Sequence, residues 1–187
     1  ASRGTELGAQ KRIEEDEARY FEKLERVLDA LRPLDPSVSV TGGEPSRDPR
    51  LPRILRTLAA HGARKRTMTT NGSGLLDVRE GRAVVEWVAE TGLRHLNISR
   101  AHPDQETNAS LMRLREGLSV AQLSRVAEVA RAGGARARLS CVLLRGAIDS
   151  LEGILSYLAF AESVGVDNVV FRQLMLADPA TTLPSPV

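Results

Sequence analysis

Three short polar segments carry residue types from which a ligand site could be built. Gly42-Gly43-Glu44-Pro45 joins two residues lacking side chains to one carboxylate. Glycines let backbone amides approach a ligand closely and adopt dihedrals other residues avoid, while a fixed carboxylate suits an ammonium group. Thr70-Asn71-Gly72 offers a hydroxyl and an amide, suited to ribose hydroxyls or a carboxylate. Ser99-Arg100 adds another hydroxyl and a guanidinium able to hold a carboxylate. Taken alone, each segment also has a plainer reading: a tight turn for the two glycine-containing ones, a solvated charge for Arg100. Taken together, an ammonium partner, hydroxyl partners and a carboxylate partner describe a site for an amino acid joined to a nucleoside.

The hydrophobic spacing supplies a frame that gathers these segments. Lys11 to Arg32 places Ile13, Phe21, Leu24, Val27, Leu28 and Leu31 at helical spacing, and Pro33 and Pro36 end it. Ser37 to Thr41 follows as a strand and runs into the glycine pair. Arg50 to His61 predicts a helix with Gly62 as its stop, and Arg66 to Thr70 the next strand. Arg79 to Glu90 reads as a helix, His95 to Ser99 as a strand, and Asp104 to Arg113 as a short helix on a connection. Ser119 to Ala132 predicts a capped helix ahead of Gly133-Gly134, Arg138 to Leu144 a strongly apolar strand, Ser150 to Ser163 the last helix and Asn168 to Leu174 the last strand. Strands alternating with helices, each connection long enough for a crossover, point to an α/β fold with parallel strands and helices outside. A barrel and an open doubly wound sheet share this local pattern, and both put ligands at the carboxyl ends of their strands, where the polar segments lie.

Composition narrows the function classes. The chain has 187 residues, and 26 Lys and Arg against 24 Asp and Glu leave a formal charge of +2, too balanced to name a partner. Six aromatics in all supply few stacking platforms, which argues against nucleic acid. The one cysteine, Cys141, excludes an intramolecular disulfide framework and any multi-cysteine metal site built from this chain alone. No apolar run approaches a membrane span and the N-terminus has no signal-peptide core, so a cytoplasmic setting without membrane partners is expected.

In their order and spacing these motifs resemble the radical S-adenosylmethionine (radical SAM) superfamily. Val38 to Pro45 looks like that family's second strand with its GGEP motif, Met68 to Gly72 like the third with its TTNG ending, and Leu96 to Ser99 like the fourth with its ribose-contacting serine. Leu139 to Leu144 looks like the fifth, whose backbone passes the adenine. Val169 to Met175 is similar to the sixth strand of the molybdenum-cofactor cyclase branch, and Asp104, Glu106 and Asn108 resemble the viperin branch. The resemblance implies a partial (β/α)6 barrel of the TIM type over residues 1 to 176, with 177 to 187 a tail or linker. It also implies that an upstream first strand completes the set. It assigns Gly42, Gly43 and Glu44 to the methionine ammonium of SAM, and Thr70, Asn71 and Ser99 to the ribose or carboxylate. Arg100 becomes a carboxylate partner, and Val142 and Leu144 border the adenine. His102, Arg145, Arg172 and Gln173 are candidates for substrate contact. The implied activity is reductive cleavage of SAM at a [4Fe-4S] cluster to a deoxyadenosyl radical that abstracts hydrogen from a small-molecule or peptide substrate, with flavodoxin or ferredoxin as electron donor.

The chain departs from this pattern in one respect. The family holds its cluster with three cysteines, usually spaced C-x3-C-x2-C, ahead of the GGEP strand, and no such triad occurs here. Cys141 sits inside a strand and reads as a buried, inert thiol rather than a metal ligand. The cluster ligands are therefore expected upstream of Ala1. Two alternatives are a cluster-less SAM-fold binding module and an ordinary phosphate-binding βα barrel enzyme. Among the weaker candidates, His102 reads either as a proton shuttle or as a structural loop residue, and Asp104 as a helix cap.

Overall fold

The computed structural model describes residues 16–115 and 117–173. Helix α1 (Glu17–Leu31) turns its apolar stripe, with Phe21 and Leu28 fully covered, onto helix α2 (Leu51–Ala60), where Ile54 and Leu58 meet it. Arg53 lies over the Phe21 ring at 3.8 Å and reinforces that contact. The sequence-predicted start of α1 at Lys11, with Ile13, lies outside the described residues, as do Leu174, Met175 and the 177–187 tail.

Five strands form one parallel sheet: β1 (Ser37–Val40), β2 (Lys65–Thr70), β5 (His95–Ser99), β6 (Arg136–Leu143) and β7 (Val169–Gln173), hydrogen-bonded in that order. Each crossover carries a helix, as parallel pairing requires. Helix α3 (Val84–Glu90) precedes β5, α4 (Gln105–Met112) and α5 (Val120–Ala132) precede β6, and α6 (Leu151–Ser163) precedes β7. The α/β class and helix-flanked parallel sheet of a partial TIM-type barrel are thus present, with β1 at one edge.

One sequence-predicted element differs. Residues 79–90 are not one helix: β3 (Val78–Arg79) and β4 (Arg82–Ala83) form a small antiparallel hairpin before α3 begins. Glu80 and Gly81, both at positive φ (48° and 79°), make its two-residue turn, the geometry that matches the twist of paired strands.

Registration gives the sheet two unlike faces, because partners in parallel strands point the same way. On one face Met68, Leu96, Ile98, Leu139 and Cys141 are buried against Leu55, Val85, Val88, Leu123 and Tyr157 of the helices. The intervening residues, such as Thr69, Asn97 and Arg138 in one lateral row, occupy the other face, which is open among the described residues. No described helix is long and apolar enough to cross a membrane.

Candidate functional site

The carboxyl ends of β1 and β2 are joined by one carboxylate. Glu44 follows the glycine pair and caps a single 3-10 turn, Pro45–Arg47, with its Oε1 accepting from the Ser46 amide at 2.9 Å and the Ser46 hydroxyl at 2.6 Å. The Thr70 hydroxyl also donates to Oε1, and the Asn71 amide donates to Oε2 at 2.7 Å. A second tie completes the joint, because Ser46 Oγ accepts from the Gly74 amide at 3.0 Å. Gly74 has to be glycine here: a Cβ would stand 2.5 Å from the Ser46 carbonyl oxygen. The strand ends predicted from the GGEP and TTNG segments are therefore physically one unit, with Glu44 at its centre.

A carboxylate offers about four lone-pair directions. Oε1 has three donors and Oε2 one, so the remaining acceptor capacity lies on Oε2. Beside it the chain is bare. Gly42, at φ 141°, and Gly43 are exposed, and a Cβ at either would meet nothing within 4 Å. A cavity of about 320 Å³ opens along them, lined on its apolar side by Tyr20, Leu24 and Val40. Gly42, Gly43 and Glu44 thus form a pre-set, uncovered acceptor suited to a cationic group.

The other predicted ligand residues divide. Asn71 turns its Oδ1 onto the Ser73 amide at 2.9 Å, leaving Nδ2 as a donor at the rim. Ser99 ends β5 on the open face, half-buried, with no hydrogen bond to its hydroxyl among the described residues. Val142 lies on the same face in register with Arg172, and Leu144 follows in the loop, its amide donating to the Ile148 carbonyl. Thr70 points the other way: it is 2% exposed on the helix face, and its hydroxyl bonds Glu44 and accepts from the Gly72 amide. It acts on a ligand only through Glu44.

Arg100 also departs from its expected role as a carboxylate partner. It is 3% exposed, and its guanidinium donates to three loop carbonyls: His102 at 3.0 Å, Leu118 at 2.9 Å and Pro103 at 2.7 Å. Phe160 lies under it at 5.0 Å, and the Arg100 carbonyl accepts from the Tyr157 hydroxyl at 2.8 Å. Burial lowers its pKa from the ordinary arginine value. With its donors directed at backbone oxygens, Arg100 shapes the rim loop instead of meeting a ligand. Asn108, buried in α4, does the same for the opposite side of that loop, its Oδ1 accepting from the Ala101 amide at 2.8 Å. The sequence singled out Asn108 only through its resemblance to the viperin branch; its part in holding the rim loop is visible only in the structure.

Of the substrate candidates, His102 accepts the Asp104 amide on Nδ1 at 3.0 Å, and Asp104 caps α4 through the Thr107 amide and hydroxyl. The capping holds the Asp104 carboxyl below its usual range. Arg145, Arg172 and Gln173 are exposed near the ends of β6 and β7. Cys141 is fully buried on the helix face, its thiol directed at the Ala101 carbonyl, and desolvation pushes its pKa up to about 11. No group of three or more His, Cys, Asp and Glu able to hold a metal ion occurs among the described residues.

No family model matches the sequence, and a search of curated proteins finds no match. Solved structures do match. Streptococcus suis SuiB superposes with a TM-score of 0.64 at 22% identity, covering 89% of this chain and 36% of SuiB. SuiB bound to S-adenosylmethionine matches at 0.62 and 24% identity, covering 81% of this chain and 33% of SuiB. SuiB bound to the precursor peptide SuiA gives 0.61 and 22%, covering 81% and 32%. Another structure, anSMEcpe with bound AdoMet, matches at 0.51 and 15%, covering 74% of this chain and 37% of its own. The chain spans about a third of these proteins, and the likeness is one of fold.

Proposed function

We propose that this chain is the SAM-binding core of a radical SAM enzyme that acts on a peptide. The observation that carries the reading is the Glu44 joint. A carboxylate whose Oε2 has only one donor stands beside an uncovered Gly42-Gly43 pair at the carboxyl rim of a sheet whose fold matches SuiB, which has been solved with S-adenosylmethionine and with a precursor peptide. In this reading Glu44 Oε2 and the Gly42-Gly43 backbone receive the methionine ammonium. The Ser99 hydroxyl and Asn71 Nδ2 meet the ribose or carboxylate, and Val142 and Leu144 border the adenine. Thr70 and Arg100 serve as positioning residues, the first by aiming Glu44 and the second by fixing the loop after Ser99. His102, Arg145, Arg172 and Gln173 stand where substrate would enter.

The described residues do not fit a [4Fe-4S] cluster, since the one cysteine is buried, protonated and turned away from the rim. The reading therefore assigns the cluster ligands to polypeptide upstream of Ala1, with reduced flavodoxin or ferredoxin as electron donor. This chain's own contribution is to bind and orient SAM and substrate. A chain without the triad also suits a cluster-less SAM-binding module, and two measurements separate the readings. Calorimetry on the chain tests SAM binding, and a Ser99→Ala variant should weaken it by about 1 kcal/mol, roughly fivefold, without altering stability. A protein extended upstream, reconstituted anaerobically with iron and sulphide and then reduced, should release deoxyadenosine from SAM. Absence of SAM binding in both the chain and the cluster-loaded extended protein sinks both readings. Binding without iron incorporation or deoxyadenosine leaves the module.

A further inference from the structure

The open face of the sheet has a charge pattern that the rim loops do not explain. None of the five strands contains an Asp or Glu, yet registration puts Lys65, His95, Arg136, Arg138 and Arg172 on that one face. Several arginines elsewhere are matched to carboxylates, as in Arg50 with Asp48 and Arg56 with Glu80. None of the four open-face Lys and Arg side chains forms an ion pair among the described residues.

Two atoms in the same area are buried without partners. His95 is 8% exposed and its Nδ1 has no hydrogen bond; Asn97 Oδ1 is likewise buried and unpaired, although its Nδ2 reaches Thr69 Oγ1 at 3.3 Å. Such groups are uncommon in native folds and ask for a partner. Arg138 stands in register beside Asn97, steadied by one bond from Nε to Asn168 Oδ1 at 2.8 Å. The pair of orphans selects the ligand. Asn97 Oδ1 requires an N–H or O–H donor, and the surrounding cations require an anion.

We propose that the open face binds an acidic stretch of the peptide substrate, its carboxylates at Arg138, His95 and Lys65 and a backbone N–H at Asn97 Oδ1. The proposal rests on the peptide-substrate reading above and gives that substrate a charge. A peptide supplies the N–H and the anion together. A deoxyribose–phosphate backbone has no donor for Asn97; an RNA backbone has its 2′-hydroxyl, but the open face presents no aromatic side chain among the described residues on which its bases could stack.

The test uses the full 187-residue chain and a fluorescein-labelled peptide of alternating glycine and glutamate, with its glutamine isostere as control, read by anisotropy. Charge-assisted pairing predicts that the glutamate peptide binds about tenfold more tightly than the glutamine one and weakens with added salt. Arg138→Gln should remove most of that preference, Arg138→Lys should retain it, and Arg26→Gln, on the exposed face of α1, should leave it unchanged. Circular dichroism confirms that each variant is folded, and the His95 ring resonances should move only with the glutamate peptide. Equal binding of the two peptides, a folded Arg138→Gln variant with undiminished preference, or binding of a labelled oligouridylate in place of either peptide overturns the proposal. SAM calorimetry on the same samples separates the readings. SAM binding with no peptide charge preference defeats the acidic substrate alone, whereas charge-selective peptide binding with no SAM binding even in the cluster-loaded extended protein upholds the surface and defeats the SAM site.

Discussion

Replacing Glu44 by alanine tests whether the rim is one mechanical unit. The carboxylate accepts four hydrogen bonds, two from backbone amides (Ser46 and Asn71) and two from hydroxyls (Ser46 and Thr70). The hydroxyls can find other partners, since Thr70 and Ser46 already lie 3.3 Å apart. The two amides lose their acceptors, at about 1 kcal/mol or more each, and the charge-assisted part of the network adds to this, for a total on the order of 3 kcal/mol. For a chain of this size each kcal/mol lowers Tm by roughly 2–4 °C, so Glu44→Ala should melt about 6–12 °C below the parent. Glu44→Gln preserves Oε1 but sets an NH2 against the Asn71 amide, and should lose roughly half as much. Differential scanning calorimetry of the three proteins is the assay. A shift below about 2 °C for Glu44→Ala would refute the claim that this side chain joins the two strand ends. It would also return Glu44 to a purely ligand-binding role.

Three further outcomes follow from buried groups. Arg100→Met keeps the apolar contact with Phe160 but leaves the His102, Leu118 and Pro103 carbonyls without their donor, costing about 3 kcal/mol by chemical denaturation. Arg100→Lys should recover less than half of that, because an ammonium cannot reproduce a planar fork. Burial first, then the charges of Arg138, Lys65, Arg94 and Arg136, depress the His95 pKa below its ordinary value of 6.5. The unfolded chain therefore takes up a proton that the fold resists, and stability should fall as pH drops below about 6.5. In His95→Asn that component of the pH–Tm curve should vanish. Cys141 should resist thiol reagents at pH 8 in the native state and react on unfolding, and stability should decline between about pH 9 and 11 as only the unfolded thiol ionises. Rapid native labelling would contradict its burial.

What the sequence determined by itself was the order of elements and the position of the polar segments at strand ends. Those signals are local: a glycine pair after a β-favouring run, a turn dipeptide after the next, helix stops at Gly62 and Gly133. The hairpin around Glu80-Gly81 escaped because its short strands run directly into the apolar residues of α3, which extend the helical pattern backwards. Side-chain direction needed the tertiary structure. Thr70 and Ser99 look alike as strand-end hydroxyls, yet parallel registration turns Thr70 to the helices and Ser99 to the open face. Arg100 reads as a free cation until the loop carbonyls of residues 102, 103 and 118 close around it. The basic open face was present in the two-residue alternation of His95, Asn97 and Ser99 and of Arg136, Arg138 and Ser140, but it became a surface only when pairing set those strands side by side. A local pattern fixes where the chain turns; which residues share a face, and which charges are left unmatched there, depends on contacts between strands some forty residues apart.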